Sequence, residues 1–122
     1  MKVVIIIGTM IHGGAHRVAC IQANELSLRG YDVTLLLIVG AKELPYELDS
    51  AVTIKHVLPS EDLEFSNLFS KVRRKLLSIP KLVKSLREIN PDLIISHIQG
   101  TNREAILSGK YLNIPTIVCE HT

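Results

Sequence analysis

The chain has 122 residues, of which 47% are hydrophobic and 21% are charged, and its formal net charge is +2. This length and composition are typical of one globular domain with a core of its own, and they exclude a disordered chain. A net charge this small gives no argument for nucleic acid as a partner, and the two cysteines, Cys20 and Cys119, do not have the spacing of a metal site.

The sequence lacks the apolar runs that mark secretion or membrane insertion. The N-terminal run Val3–Ile7 is shorter than the core of a signal peptide and follows Met-Lys directly. No apolar window is long enough to span a bilayer. We therefore expect a cytoplasmic chain whose thiols stay reduced.

The first half of the chain predicts strands around one helix. Val3–Ile7 and Asp32–Val39 are continuous apolar runs, typical of strands that are covered on both faces. Val52–Val57 alternates, which indicates an edge or half-buried strand. Between the first two strands, apolar residues recur at helical spacing up to a stop at Arg29-Gly30: Ala15, Val18, Ala19, Ala23 and Leu26.

The segment from Ser66 to Glu88 predicts an amphipathic helix, which ends before Asn90-Pro91. Pro80 removes a backbone donor and should kink or split this helix near Ser78–Ile79. Between Lys71 and Arg87 the helix carries basic residues and no acid. It is either a solvated face or a surface for anionic lipid, which would make the protein a peripheral protein on the inner face of the membrane.

The rest of the chain completes an alternating pattern of strands and helices. Asp92–Ser96 and Thr116–Cys119 are predicted strands. Thr101 and Glu104 have the spacing of a capping box, which predicts a helix from Thr101 to about Leu112. Strands joined by right-handed helical crossovers form a parallel sheet, so we expect a doubly wound, Rossmann-like α/β fold with strand order 3-2-1-4-5.

In such a sheet, ligands bind beyond the carboxyl ends of the strands, where the winding direction reverses. Here the reversal falls between the first and fourth strands, so the loops after strands one, four and five should meet. The polar and glycine residues of these loops are the candidate site: His12, Gly13, Gly14, His97, Gln99, Thr101, Asn102, Glu120, His121 and Thr122.

The glycine pair Gly13-Gly14 lies where a strand passes into a helix, so its backbone amides can approach a polar or anionic ligand. The usual nucleotide motifs do not fit. The loop is not G-x-G-x-x-G, and the second strand ends Leu37-Ile-Val-Gly40 without the acidic residue that would hold a ribose. No P-loop lysine or serine nucleophile elbow is present. A dehydrogenase is therefore disfavoured. His12 and His16 lack a third ligand for a metal, and we expect neither a metal nor a cofactor.

Several segments together resemble a known family, the nucleotide-sugar-dependent glycosyltransferases of the GT-B fold, and within them the large retaining family four. The similar segments occur in the family's order and span nearly the whole chain: Gly13–Val18, Ala23–Leu26, Arg29–Leu35, Asn90–His97 and Ile114–His121. At His16 this sequence departs from the glutamate that the family usually has.

The resemblance implies two Rossmann-like domains that face a cleft. Residues 1–122 would be a truncated N-terminal, acceptor-side domain, and the C-terminal donor-binding domain would be absent, so this chain alone should be inactive. Gly13 and Gly14 would line the cleft near the donor phosphates and the acceptor. His121 would lie near the transferring sugar as the catalytic residue.

From position and resemblance together, the expected substrate-binding residues are Gly13, Gly14, His97, Thr101 and Glu120. The expected substrates are a nucleotide-sugar and a glycan or lipid-linked acceptor, in synthesis of a surface polysaccharide or glycolipid.

For several of these residues, a purely structural interpretation stays open. His121 could cap a loop, the glycine pair could form a tight turn, His97 could be structural and Glu120 could be solvated. The alternative function is a non-catalytic, Rossmann-like module that binds a nucleotide or another small ligand.

Overall fold

A computed structural model describes residues 1–8, 14–39, 46–58, 68–97 and 99–120. Within these ranges the chain forms five strands and three helices. In chain order they are β1 (Lys2–Ile7), α1 (Gly14–Leu28), β2 (Asp32–Val39), β3 (Thr53–Leu58), α2 (Leu68–Ile89), β4 (Leu93–His97), α3 (Gln99–Leu112) and β5 (Thr116–Cys119). The strands are parallel neighbours in the order β3-β2-β1-β4-β5, which confirms the predicted doubly wound sheet.

The central strand β1 is buried on both faces, which explains its unbroken apolar run. Successive side chains point to opposite faces of a strand. Ile5 and its neighbours on one face pack against α1 through Ala19 and Ala23. Ile6 and its neighbours on the other face pack against α2 and α3 through Leu82 and Ala105. The sheet therefore has a core on each side.

The two edge strands differ from the centre as the patterns predict. β3 pairs only with β2 and is mostly exposed, which confirms the edge position expected from its alternation. At the other edge, β5 exposes Ile117 and Val118, which point to opposite faces of the sheet. Ile117 is 51% exposed.

A residue with a positive φ angle follows each of the three described helices, at the positions where the sequence predicted the helix ends. Gly30 follows α1 with φ 94°, Asn90 follows α2 with φ 53° and Asn113 follows α3 with φ 58°. Glycine and asparagine adopt this conformation at the lowest cost, so the helices end where these residues occur. The amide of Ile114 then donates to the Gly109 carbonyl at 2.9 Å and closes the end of α3.

Two details of the sequence analysis need correction. Of the kink or split predicted at Pro80, the split does not occur, because α2 runs through Pro80 as one helix. Pro80 lies on the exposed side of α2, where water can solvate the carbonyl that loses its partner, and the buried Leu82 and Leu86 hold the following turns on the sheet. α3 begins at Gln99, so Thr101 is inside its first turn and is not the N-cap of a capping box.

A polar clamp joins α1 to the segment that precedes β3. The Asn24 side chain donates to the Glu47 carbonyl at 3.1 Å and accepts from the Asp49 amide at 2.7 Å. The Asp49 carboxylate in turn accepts from the Ala51 amide at 2.9 Å. One amide side chain therefore holds both a carbonyl and an amide of this turn.

Replacing Asn24 with alanine should lower the free energy of unfolding by about 1 kcal/mol, because both backbone groups of the turn lose their partner but remain near water. Amide exchange should accelerate at Asp49 and Val52 more than in β1. Asn24→Asp keeps only the acceptor and should recover part of the protection at Asp49. Equal exchange in the Asn24→Ala variant and the original chain would contradict this role of the clamp.

Candidate functional site

The candidate site is the edge of the sheet where β1 and β4 end and where α1 and α3 begin. The strands are parallel neighbours, so their carboxyl ends lie along the same edge. Neither α1 nor α3 has an acidic residue in its first turn. The partial positive charge at each helix N-terminus is therefore not neutralised by a side chain of that turn, which favours an anionic ligand.

The structure brings several of the predicted residues to this edge. Gly14 is the first residue of α1 and is exposed, and an ideal Cβ built on it meets no heavy atom within 4 Å. Glu120 follows β5 and is also exposed. His12, Gly13, His121 and Thr122 lie outside the described residues, so their predicted roles stay predictions.

Gly8, directly after β1, lies close to Thr101 of α3. An ideal Cβ on Gly8 would lie 3.1 Å from Thr101 Oγ1. Thr101 is buried. Any side chain larger than hydrogen at Gly8 would push against this hydroxyl, so the glycine lets α3 begin directly beside the end of β1.

His97 ends β4 as a buried side chain with a defined partner. It is 1% exposed, and its Nε2 lies 2.8 Å from Oε1 of Gln22 in α1. With the amide oxygen as acceptor, Nε2 carries the proton and donates. This hydrogen bond joins the middle of α1 to the end of β4. The imidazole is therefore a bracing group of the edge in this structure.

Gln22 is a residue that the sequence analysis missed. It is half-buried and stands beside Ala23, on a helix that also buries the small side chains of Ala19 and Cys20. A polar residue at such a position needs a polar partner, and that was the available signal. The partner, His97, is 75 positions away in the sequence.

Asn102 braces the neighbouring strand end in a similar way. It is buried, and its Nδ2 donates to the Cys119 carbonyl at 3.0 Å. Its Oδ1 has no hydrogen-bond partner among the described residues. Asn102 therefore sets the position of the last residue of β5, immediately before Glu120.

The described residues do not include a reactive cysteine or a cluster of side chains that could bind a metal ion. Neither Cys20 nor Cys119 forms a disulfide within the described residues, and burial raises the pKa of the Cys20 thiol, which makes it a poor nucleophile. His16 is buried in the first turn of α1. No group of three or more His, Cys, Asp or Glu side chains in the described part of the chain could hold a metal ion.

None of the helices in the described residues has the length and apolar character needed to cross a membrane.

Comparisons with known proteins identify the family of this chain. The model of Glycosyltransferase Family 4 matches residues 12–122. A curated relative from Campylobacter jejuni is 30% identical over 122 residues, which are 100% of this chain and 33% of the relative. It is named GalNAc-alpha-(1->4)-GalNAc-alpha-(1->3)-diNAcBac-PP-undecaprenol alpha-1,4-N-acetyl-D-galactosaminyltransferase. The chain thus spans about a third of the length of the curated relative that it matches.

Solved structures share the fold at low sequence identity. The structure of TcCGT1 in complex with UDP superposes with a TM-score of 0.65 at 15% sequence identity. The match covers 96% of this chain and 27% of the TcCGT1 chain. The structure of Phytolacca americana UGT2 complexed with UDP-2fluoro-glucose and pterostilbene superposes with a TM-score of 0.61 at 18% sequence identity. The match covers 98% of this chain and 30% of the UGT2 chain. The chain therefore belongs to Glycosyltransferase Family 4, and its fold is that of the N-terminal Rossmann-like domain of a GT-B glycosyltransferase.

Proposed function

We propose that this chain forms the acceptor-side half of a sugar-transfer cleft, in an enzyme that moves a sugar from a nucleotide-sugar to a lipid-linked glycan. The observation that carries the proposal is the open N-terminus of α1 at Gly14, beside the point where the winding of the sheet reverses. The named activity of the Campylobacter jejuni relative, on an undecaprenol-PP-linked glycan, supports this acceptor class.

The geometry of the edge suits the charge that develops in the reaction. Sugar transfer leaves a nucleoside diphosphate, whose negative charge must be stabilised as the glycosidic bond breaks. The uncompensated N-termini of α1 and α3 offer partial positive charge and backbone amides at this edge. We assign Gly13 and Gly14 to the space near the phosphates, since only hydrogen protrudes from their Cα atoms.

We propose different roles for the exposed and the buried residues of the candidate site. Glu120 is exposed and is proposed to contact the acceptor, and His121 is proposed to act on the reacting sugar as the catalytic residue. His97 and Thr101 are buried, which favours a positioning role for both within the substrate-binding edge. The nucleotide-sugar is the donor substrate, and we propose neither a metal nor a cofactor.

The test is sugar transfer by the product of the whole open reading frame that contains this chain. It would be incubated with a panel of nucleotide-sugars and an undecaprenyl-diphosphate-linked glycan, and transfer of one sugar is expected. His121→Ala should lower kcat at least tenfold, whereas the exposed His56→Ala on β3 should not. Normal turnover of His121→Ala would refute the catalytic assignment.

The isolated chain, residues 1–122, is expected to transfer no sugar because it provides one side of the cleft only. Measurable transfer by the isolated chain would overturn this division of labour. Nucleotide binding by the whole product without transfer to any acceptor would favour the alternative, a non-catalytic nucleotide-binding module. Failure of both binding and transfer would refute both functions.

A cytoplasmic, peripheral location follows from the same proposal. A lipid-linked acceptor keeps the reaction at a membrane surface, and the basic segment Lys71–Arg87 of α2 is the proposed contact with anionic lipid. Its described cations Lys81, Lys84 and Arg87 are all exposed.

A further inference from the structure

The first turn of α3 contacts the ends of the strands on both sides of β4. Thr101 lies against Gly8, which directly follows β1. The next residue, Asn102, donates from Nδ2 to the carbonyl of Cys119, the last residue of β5. Both Thr101 and Asn102 are buried. One helical turn therefore holds the ends of two strands that are not neighbours in the sheet.

The hydrogen bond from Asn102 lies at the end of the ladder between β4 and β5. The Ile94 amide of β4 donates to the Pro115 carbonyl at 2.9 Å, so this carbonyl points toward β4. Backbone groups of an extended chain point the same way at every second residue, which directs the Cys119 carbonyl toward β4 as well. The two strands stay in register up to the pair of His97 and Cys119, where both end. The Asn102 side chain therefore binds the last carbonyl of β5 at the point where the ladder stops.

This carbonyl belongs to the peptide group that leads out of β5. A peptide group is planar, so a hydrogen bond that holds the Cys119 carbonyl also sets the orientation of the Glu120 amide. His121 is the next residue in the sequence. The orientation of this one peptide group therefore sets the direction in which the chain leaves the strand toward the proposed catalytic residue.

Stability alone does not account for an amide side chain at position 102. Asn102 is 4% exposed, and its Oδ1 is buried without a hydrogen-bond partner among the described residues. A buried acceptor that lacks a partner costs stability. An apolar side chain of the same branched shape would avoid this cost, but it could not donate to the Cys119 carbonyl. The contribution that is specific to the amide is therefore its hold on the end of β5.

We propose that Asn102 is a positioning residue for sugar transfer, which holds the end of β5 so that His121 is presented to the reacting sugar. The same turn of α3 lies against Gly8, from which the chain continues to Gly13-Gly14. The first turn of α3 thus supports both the segment assigned to the phosphates and the segment assigned to the catalytic residue. This positioning role rests on the proposed function, because it requires the catalytic role of His121.

The experiment compares Asn102→Ala with a matched control, Asn24→Ala, in the product of the whole open reading frame. Each variant removes an amide that donates to a backbone carbonyl, at 3.0 Å from Asn102 and at 3.1 Å from Asn24. Asn24 holds the segment before β3, which lies at the amino ends of the parallel strands and away from the candidate site.

The two variants should differ in kcat. In Asn102→Ala, kcat should fall at least about tenfold, because a small displacement of a reacting group slows transfer steeply. In Asn24→Ala, kcat should change by less than about twofold, since the site stays in place. The KM for the nucleotide-sugar should stay within about twofold in both variants, because neither side chain binds the donor. An equal loss of kcat in both would show a general effect of destabilisation and would overturn the proposal.

Asn102→Leu separates positioning from stability. Leucine has the branched shape of asparagine and brings no unpaired polar atom into the core, so this variant should unfold at a urea concentration no lower than Asn102→Ala does. Leucine cannot donate to the Cys119 carbonyl, so kcat should fall as far as it does in Asn102→Ala. Full activity of the folded Asn102→Leu variant would show that the hydrogen bond is not needed for transfer and would refute the positioning role.

Amide exchange distinguishes failure of this inference from failure of the proposed function. The Cys119 amide should exchange faster in Asn102→Ala than in the original protein, while exchange in β1 stays the same. Unchanged exchange at Cys119 would refute the hold of Asn102 on β5. Faster exchange with an unchanged kcat would refute the positioning role and leave the proposed function standing. If the original protein transferred no sugar to any acceptor, the proposed function would be wrong, and the positioning role with it.

Discussion

Replacing His97 with alanine should lower the free energy of unfolding by about 3–5 kcal/mol. The His97 side chain is 1% exposed, so alanine leaves a cavity at the end of β4. It also deprives Gln22 Oε1 of a hydrogen bond that is 2.8 Å long in the structure. Both losses act at the same place, where α1 is joined to the edge of the sheet.

Urea unfolding followed by circular dichroism measures this effect. The control is His56→Ala, which removes the same side chain from an exposed position on β3 and should cost under about 1 kcal/mol. A double-mutant cycle with Gln22→Ala should give a coupling of about 1 kcal/mol or more. If His97→Ala and His56→Ala were equally stable, the bracing role of His97 would be wrong.

Replacing Gly109 with alanine should destabilise the chain by about 2–3 kcal/mol. On an exposed helix this change would stabilise by up to about 1 kcal/mol. Here the added Cβ would collide with Thr116 Oγ1 and would lie 3.2 Å from the Ile114 carbonyl oxygen. The Thr116 hydroxyl cannot simply turn away, because it donates to that same carbonyl at 3.0 Å.

A second substitution tests this steric explanation. Removing the hydroxyl in the Gly109→Ala, Thr116→Ala double variant should recover part of the lost stability, because the closest colliding atom is gone. The control is Gly14→Ala, where an added Cβ meets nothing within 4 Å and the free energy of unfolding should change by less than about 0.5 kcal/mol. Stability of Gly109→Ala equal to that of the original chain would contradict the close packing of α3 on β5.

Much of the fold was predictable because it depends on local signals. The predicted Asp32–Val39 and Thr116–Cys119 strands have the bounds that the structure shows. β1 begins one residue earlier than predicted, and β3 and β4 are each shifted by one residue toward the C-terminus. A strand that is buried on both faces needs an unbroken apolar run, and such runs are visible without knowledge of the partners. The right-handed crossover then restricts the strand order.

The errors and omissions share one cause, which is dependence on contacts distant in sequence. Thr101 looked like a helix cap, but the structure uses it inside α3 as the neighbour of Gly8. Pro80 looked like a break, but burial of the turns after it keeps α2 whole. The sequence predicted which edge of the sheet carries the candidate site, whereas the roles of the residues there depend on which of them are buried.

The amino-acid sequence by itself therefore determined the order of strands and helices, the strand order of the sheet and the helix ends at Gly30, Asn90 and Asn113, and it predicted the edge of the candidate site. Only the tertiary structure decided that His97 turns inward to Gln22 and that Asn102 holds the end of β5. The physical reason is the range of the forces involved. Hydrophobic periodicity and backbone preferences act within a few residues, but a hydrogen bond between buried side chains exists only after the sheet has brought them together.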